Sequence, residues 1–173
     1  MSSSSLASLP DVHLQAGEPP LLRRDAAGDG PGWAAEHRDA LRAVVAEHGS
    51  LMVRGLGLRD AAEVGAVFSA LATGLMAGTE AFALRQAYSP GVYSSTKWPQ
   101  NQPMRMHHEL SHTTDPPSLM LFACLVAPTD GGVTAVADGP TVLDALPSEL
   151  VERFDRGGWL LTRNPPATEE AGR

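Results

Sequence analysis

A chain of 173 residues with 43% hydrophobic and 19% charged side chains has the size and composition of one globular domain, which excludes a disordered tail. Its 20 acidic against 13 basic residues leave a net charge of −7, and no basic cluster is present to neutralise a run of phosphates, so nucleic acid is not an expected partner. No run of about 18 apolar residues occurs, and the opening "MSSSSLASLPDVHLQAGEPP" has neither a basic n-region nor an apolar core; no signal peptide and no membrane anchor are expected, and a cytoplasmic location is.

In chain order, residues 1–31 are rich in Ser, Pro, Gly and Asp without sustained periodicity, and are expected to form a loosely ordered lead-in. Trp33, His37, Leu41, Val44 and Val45 then recur at helical spacing in "GWAAEHRDALRAVVAEHG", with Gly49 where a left-handed C-cap would stand. "SLMVRGL" predicts a short strand, and Asp60 with Glu63 predicts a capping-box start for a helix over "AAEVGAVFSALA". From about Gly78 the pattern changes to strand-like runs divided by Gly and Pro, "AFALRQAY", "SLMLFACLVA" and "GVTAVAD", which predicts a β-rich core. The single cysteine, Cys124, lies inside the second of these runs and is expected to be a buried small hydrophobe. With one cysteine no disulfide framework can form within the chain, which fits a reducing compartment. Pro140 predicts a helix over "GPTVLDAL", Ser148 is expected to be the N-cap of "ELVERF", and "GWLLTRN" is a last strand candidate before a polar tail over 165–173.

The stretch "MRMHHELSH", Met104 to His112, admits two metal-binding frames. From His108, "HELSH" is the H-E-x-x-H string of zinc peptidases, with His108 and His112 as ligands and Glu109 as base. That reading requires a helix, because only i, i+4 spacing on one helical face aims both histidines at one zinc. Pro103 could open such a helix and Pro116 could lie beyond its end, but Thr113, Thr114 and Asp115 offer no apolar stripe. The extended form of the motif wants Gly and His where Asp115 and Ser118 stand, which leaves Glu149 or Glu152 from a later helix as third ligand. From His107, the pattern is H-x-E: on a strand, or the turn at its end, His107 and Glu109 share one side and His108 points away. One imidazole and one carboxylate are two thirds of a facial triad for Fe(II), although the pattern alone is short enough to arise as a chance surface pair.

The wider segment "NQPMRMHHELSHTTDPPSLMLFACLVAPTDGGVTAVADGPTVLDALPSELVERF" resembles the taurine dioxygenase-like (TauD/TfdA) family of Fe(II)/2-oxoglutarate-dependent oxygenases. The likeness is to its His-x-Glu branch, which includes clavaminate synthase and the syringomycin-pathway hydroxylase type. The matching pieces are the H-x-E, the proline before an apolar run ending in "CLVAP", the "GGVT" with a following "AD", and "VLDALPSELVERF". "HGSLMVRGLGL" extends a weaker likeness across most of residues 40 to 164. The resemblance implies that His107 and Glu109 are iron ligands and that Thr134 hydrogen-bonds a carboxylate of 2-oxoglutarate. Taken as ordinary residues, Thr134 is a strand threonine after a turn made by Gly131 and Gly132, and Asp138 is a helix cap.

The implied fold is mixed α+β, a double-stranded β-helix (jelly-roll, clavaminate synthase-like), with residues 32–164 as the N-terminal part of the oxygenase domain. The implied activity is hydroxylation of an amino-acid-like small molecule or a carrier-bound intermediate, in antibiotic or other secondary metabolism, with Fe(II), 2-oxoglutarate and O2. The family's third ligand is a distant His followed by an Arg that anchors 2-oxoglutarate, whereas here His112 is the only histidine after Glu109. His13, His37 and His48 precede the motif and are expected in surface or core roles. An incomplete domain is therefore expected, as a truncated enzyme, a catalytically silent remnant, or half of a split enzyme completed by a second chain.

Overall fold

The computed structural model describes residues 11–25, 28–76, 85–96 and 101–162. The first half of the chain holds a three-stranded sheet made of β1 (Val12–His13), β2 (Leu21–Arg23) and β3 (Met52–Arg54), with β2 in the middle. β1 runs antiparallel to β2, while β3 runs parallel to it with Leu22 opposite Val53. A parallel neighbour needs a crossover, and α1 (Gly30–Glu36) and α2 (Arg38–His48) supply it. Residues 11–25 are thus not the loose lead-in that their composition predicts: they hold two strands and Leu22, among the described residues the one large side chain with no exposed surface. Strand pairing, not periodicity, orders them; three residues are too few to show a period of two.

The helix predicted over residues 33–48 forms in two pieces that meet at His37, whose φ of −100° and ψ of 9° leave the helical region. His37 is buried, stacks on Trp33 with ring centroids 4.6 Å apart, and places Nδ1 2.9 Å from the Trp33 carbonyl oxygen. Gly49 is the left-handed C-cap that its position predicts, at φ 76°. Gly55 has a stronger requirement, because besides a φ of 86° an added Cβ would stand 2.1 Å from the Arg24 carbonyl oxygen.

α3 (Ala61–Leu71) starts as the capping signal predicts, with the Asp60 carboxylate accepting from the Ala62 and Glu63 N–H groups at 3.0 and 2.9 Å. The reciprocal half differs by one residue: Glu63 accepts from the Arg59 backbone N–H at 2.8 Å and from its guanidinium Nε at 3.0 Å. α3 packs on α1 and buries Val64 and Val67, and Arg42 of α2 donates to the Leu71 carbonyl at its far end, 3.2 Å away. Against α3 also lies a hairpin of β4 (Ala87–Ser89) and β5 (Val92–Tyr93), which buries Val92.

The Arg59 hydrogen bonds hold the Glu63 carboxyl below its usual value, the side-chain bond contributing most. A carboxylate lowered in the folded state contributes stability that is complete above its unfolded value, about 4.3, and is lost as pH falls through the lower folded value. Glu63→Gln should therefore have a lower Tm than the parent at pH 7, and the gap should close below about pH 4. Solvent screening keeps that gap small. Thermal melts across pH check this, and a gap that widens on acidification would refute it.

Beyond residue 101 the architecture departs from expectation. The runs at 118–127 and 133–138 and the described part of the last strand candidate, 158–162, form no strand. Phe122 is 70% exposed, Val133 89% and Leu160 89%, and Cys124 is exposed and not buried as its surroundings predict. Among the described residues these runs have no partner strand, and a strand exists only as one side of a hydrogen-bonded ladder. The mixed α and β content is as expected, but the two small sheets are not a double-stranded β-helix. α4 (Gly139–Asp144) and α5 (Ser148–Gly157) do form. Asp138 caps α4 through the Thr141 N–H at 3.0 Å, whereas the cap of α5 is Pro147, one residue before the predicted Ser148, without a side-chain bond. Neither helix buries a residue, and Leu143, Leu146, Leu150, Val151 and Phe154 line an open apolar groove between them. No helix among the described residues is long and apolar enough to cross a membrane.

Candidate functional site

The open end of the β4–β5 hairpin positions the site. Ser94 donates its N–H to the Gln86 carbonyl at 2.8 Å and accepts the Gln86 N–H on Oγ at 3.0 Å, so the ladder continues past the strands. That pairing brings Arg85 and Thr96 together on the two arms, with Arg85 Nε donating to Thr96 Oγ1 at 3.1 Å. The same guanidinium reaches 24 residues along the chain, where Nη2 donates to Glu109 Oε1 at 2.8 Å. The Glu109 side chain is 19% exposed and that of Arg85 29%, so the pair is partly shielded from solvent.

Glu109 follows a stretch outside any helix or strand and opens a turn in which Leu110 takes a positive φ of 52° and accepts from the Thr113 N–H and hydroxyl, both at 2.9 Å. His107 Nε2 lies 4.0 Å from Glu109 Oε2. The other ring nitrogen, Nδ1, is 2.7 Å from the Arg105 carbonyl oxygen, which can only accept. The proton therefore sits on Nδ1 in the neutral ring, and Nε2 presents its lone pair toward the free carboxylate oxygen.

This donor set suits a divalent metal at two positions: an imidazole nitrogen with its tautomer set by a carbonyl, and a carboxylate oxygen whose twin is held by an arginine. Donors at right angles on one metal at about 2.1 Å stand about 3 Å apart. The pair is thus about 1 Å open, and His107, with its side chain 57% exposed, has room to close. Among the described residues no group of three or more His, Cys, Asp or Glu side chains converges. The pair lacks its third partner there.

The competing frame loses its premise. Residues 107–112 form no helix: 107 and 108 lie outside any regular element and 109–112 form turns, and Leu110 at φ 52° breaks the i, i+4 geometry that His108 and His112 would need. His108 is exposed beside the start of α4, where a Cβ added to Gly139 would meet its Cε1 at 3.9 Å. Thr134 is exposed in the irregular stretch before α4, and among the described residues no hydrogen bond joins it to His107 or Glu109. Arg85 was not legible as a site residue in "AFALRQAY", since nothing local links it to Glu109.

A family model described as taurine catabolism dioxygenase TauD, TfdA family matches residues 19–172. The dapdiamide synthesis protein DdaC of Enterobacter agglomerans is 29% identical over 121 residues, covering 70% of this chain and 37% of that protein. A clavaminate synthase-like protein of Arabidopsis thaliana is 25% identical over 126 residues, covering 71% of this chain and 38% of its own length. The chain therefore spans less than two fifths of either relative. No solved structure matches.

Proposed function

Because the chain belongs to the taurine catabolism dioxygenase TauD, TfdA family, we propose that it carries part of the active site of an Fe(II)/2-oxoglutarate-dependent oxygenase acting on a small molecule. The observation that supports this most is the His107 Nε2 and Glu109 Oε2 pair, with both side chains held from behind by Arg105 and Arg85. Bound there, Fe(II) would supply the activation of O2 that couples oxidative decarboxylation of 2-oxoglutarate, to succinate and CO2, with hydroxylation of a substrate C–H bond. His107 offers a lone pair whose orientation the Nδ1–H bond fixes, and Glu109 offers one oxygen and one negative charge. Thr134 would donate its hydroxyl to a carboxylate of 2-oxoglutarate, a charge-assisted bond. An amino-acid-like substrate, free or carrier-bound, is the class we favour, and a relative named for dapdiamide synthesis is consistent with a biosynthetic small-molecule role.

The third ligand, an anchor for the distal carboxylate and the strands of the family's double-stranded β-helix would come from further polypeptide, in the same chain or a second one. The exposed apolar side chains of Phe122, Val126, Val133 and Leu160 support this part of the proposal.

Anaerobic titration with Fe(II) and 2-oxoglutarate should give a visible charge-transfer band, and admission of O2 should release succinate, only where a near-complete site forms, that is, with the polypeptide that supplies the third ligand present. Absence of both would leave a catalytically silent member of the family. Thr134→Ala should weaken 2-oxoglutarate binding about tenfold or more, since a hydrogen bond to a charged group is worth about 1.5–3 kcal/mol. An unchanged titration would return Thr134 to a structural role.

A further inference from the structure

We propose, resting on the metal reading above, that Arg85 is a positioning residue for the metal centre: it reserves one oxygen of Glu109, so that the carboxylate offers a metal only the other. Glu109 Oε1 receives Arg85 Nη2 at 2.8 Å, while Oε2 faces His107 Nε2 at 4.0 Å. A carboxylate free of such a partner can turn either oxygen, or both, toward a cation. With Oε1 engaged, the rotation that would bring it round costs a charge-assisted hydrogen bond in a partly buried site.

Arg85 is itself held. Its Nε donates to Thr96 Oγ1 at 3.1 Å, so the planar guanidinium is gripped by one arm of the hairpin while rooted in the other. The chain of contacts runs from α3, through the hairpin packed on it, to Arg85, and from there to Glu109, which follows residues 101–108, exposed and outside any helix or strand. The guanidinium has two opposing effects on a cation at Oε2. Its charge repels the cation, and its fork keeps the carboxylate aimed. The geometry assigns the larger effect to aiming, because Arg85 ties Glu109 Oε1 to a hairpin packed on α3, while most of the guanidinium charge is matched by the carboxylate it touches.

Mn(II) binding by the protein, followed through the free-ion paramagnetic resonance signal, tests this without recourse to activity. Arg85→Ala is expected to weaken Mn(II) binding about 10–100-fold, the usual cost of losing an outer partner of a metal ligand. Arg85→Lys should recover little of that, since an ammonium cannot hold Thr96 and Glu109 with one planar fork. Thr96→Val, which removes only the Nε acceptor, should fall between the parent and Arg85→Ala. The infrared splitting between the antisymmetric and symmetric carboxylate stretches should narrow in Arg85→Ala as the second oxygen joins the metal. Far-UV circular dichroism of the metal-free variants shows whether each folds; if Arg85→Ala does not, Arg85→Lys and Thr96→Val decide the matter. Tighter binding in Arg85→Ala, full recovery by Arg85→Lys, or an unchanged splitting would overturn the proposal while leaving the metal reading standing. Absence of Mn(II) binding by the parent, or binding that His107→Ala leaves untouched, would overturn both.

Discussion

Glu109→Gln should abolish metal binding, with a loss well beyond the about 10–100-fold expected for an outer partner such as Arg85. The substitution keeps the shape of the side chain and removes its charge. It also leaves a single oxygen where there were two. In the parent, Arg85 Nη2 takes Oε1 at 2.8 Å and Oε2 is left facing His107 Nε2 at 4.0 Å. In the glutamine variant the arginine, a pure donor, keeps the carbonyl oxygen, and the amide nitrogen turns toward His107 without a lone pair to give. Equilibrium dialysis against Mn(II) or Fe(II) checks the loss. His107→Ala should match it, since the imidazole is the other donor of the pair. Retained affinity in Glu109→Gln would mean that the metal site lies elsewhere. Metal-free Glu109→Gln should melt close to the parent, because the carbonyl still accepts from Arg85.

Leu22→Ala should be among the most destabilising single changes, by about 2–5 kcal/mol, as for other fully buried leucines cut back to alanine. For a chain of this size that corresponds to a fall in Tm of roughly 5–15 °C. Leu22 has no exposed surface, sits on the middle strand of the sheet and stands opposite Val53 of the parallel neighbour. Among the described residues the buried apolar set is small: besides Leu22 it comprises Ala34, Leu41, Val64, Val67 and Val92. Few side chains are therefore available to collapse into the space left behind, which places the cost toward the upper part of the range. Urea denaturation measures it. By contrast Leu160→Ala, at a position 89% exposed, should change stability little. Equal effects at the two positions would show that the sheet is not the core.

The elements legible in the sequence are those whose cause lies within about four residues of themselves. Asp60 caps α3 because its carboxylate reaches the N–H groups two and three residues on. Gly49 ends α2 because only a residue at ease with positive φ closes a helix that way. Asp138 and Pro140 start α4 for similarly local reasons. The misreadings fall where a partner far along the chain decides the outcome. Residues 11–25 read as a loose lead-in because Leu21–Arg23 is ordered by Met52–Arg54, roughly thirty positions away. "SLMLFACLVA" reads as a buried strand because its composition is right, yet without a partner ladder among the described residues it forms no strand, and Cys124 is exposed.

The site divides in the same way. The residue types and the spacing of His107 and Glu109, together with the ordered pieces that follow them, were enough to indicate the family and to prefer one frame of "MRMHHELSH" over the other. Whether that stretch is helical was decided by the fold: a turn at Leu110 removes the zinc geometry and leaves His107 Nε2 4.0 Å from Glu109 Oε2. Arg85 belongs wholly to the tertiary structure. Its bond to Glu109 spans 24 residues and depends on a hairpin that packs on α3, and no periodicity, cap or turn signal in a single sequence encodes a contact between segments that meet only once the chain has folded.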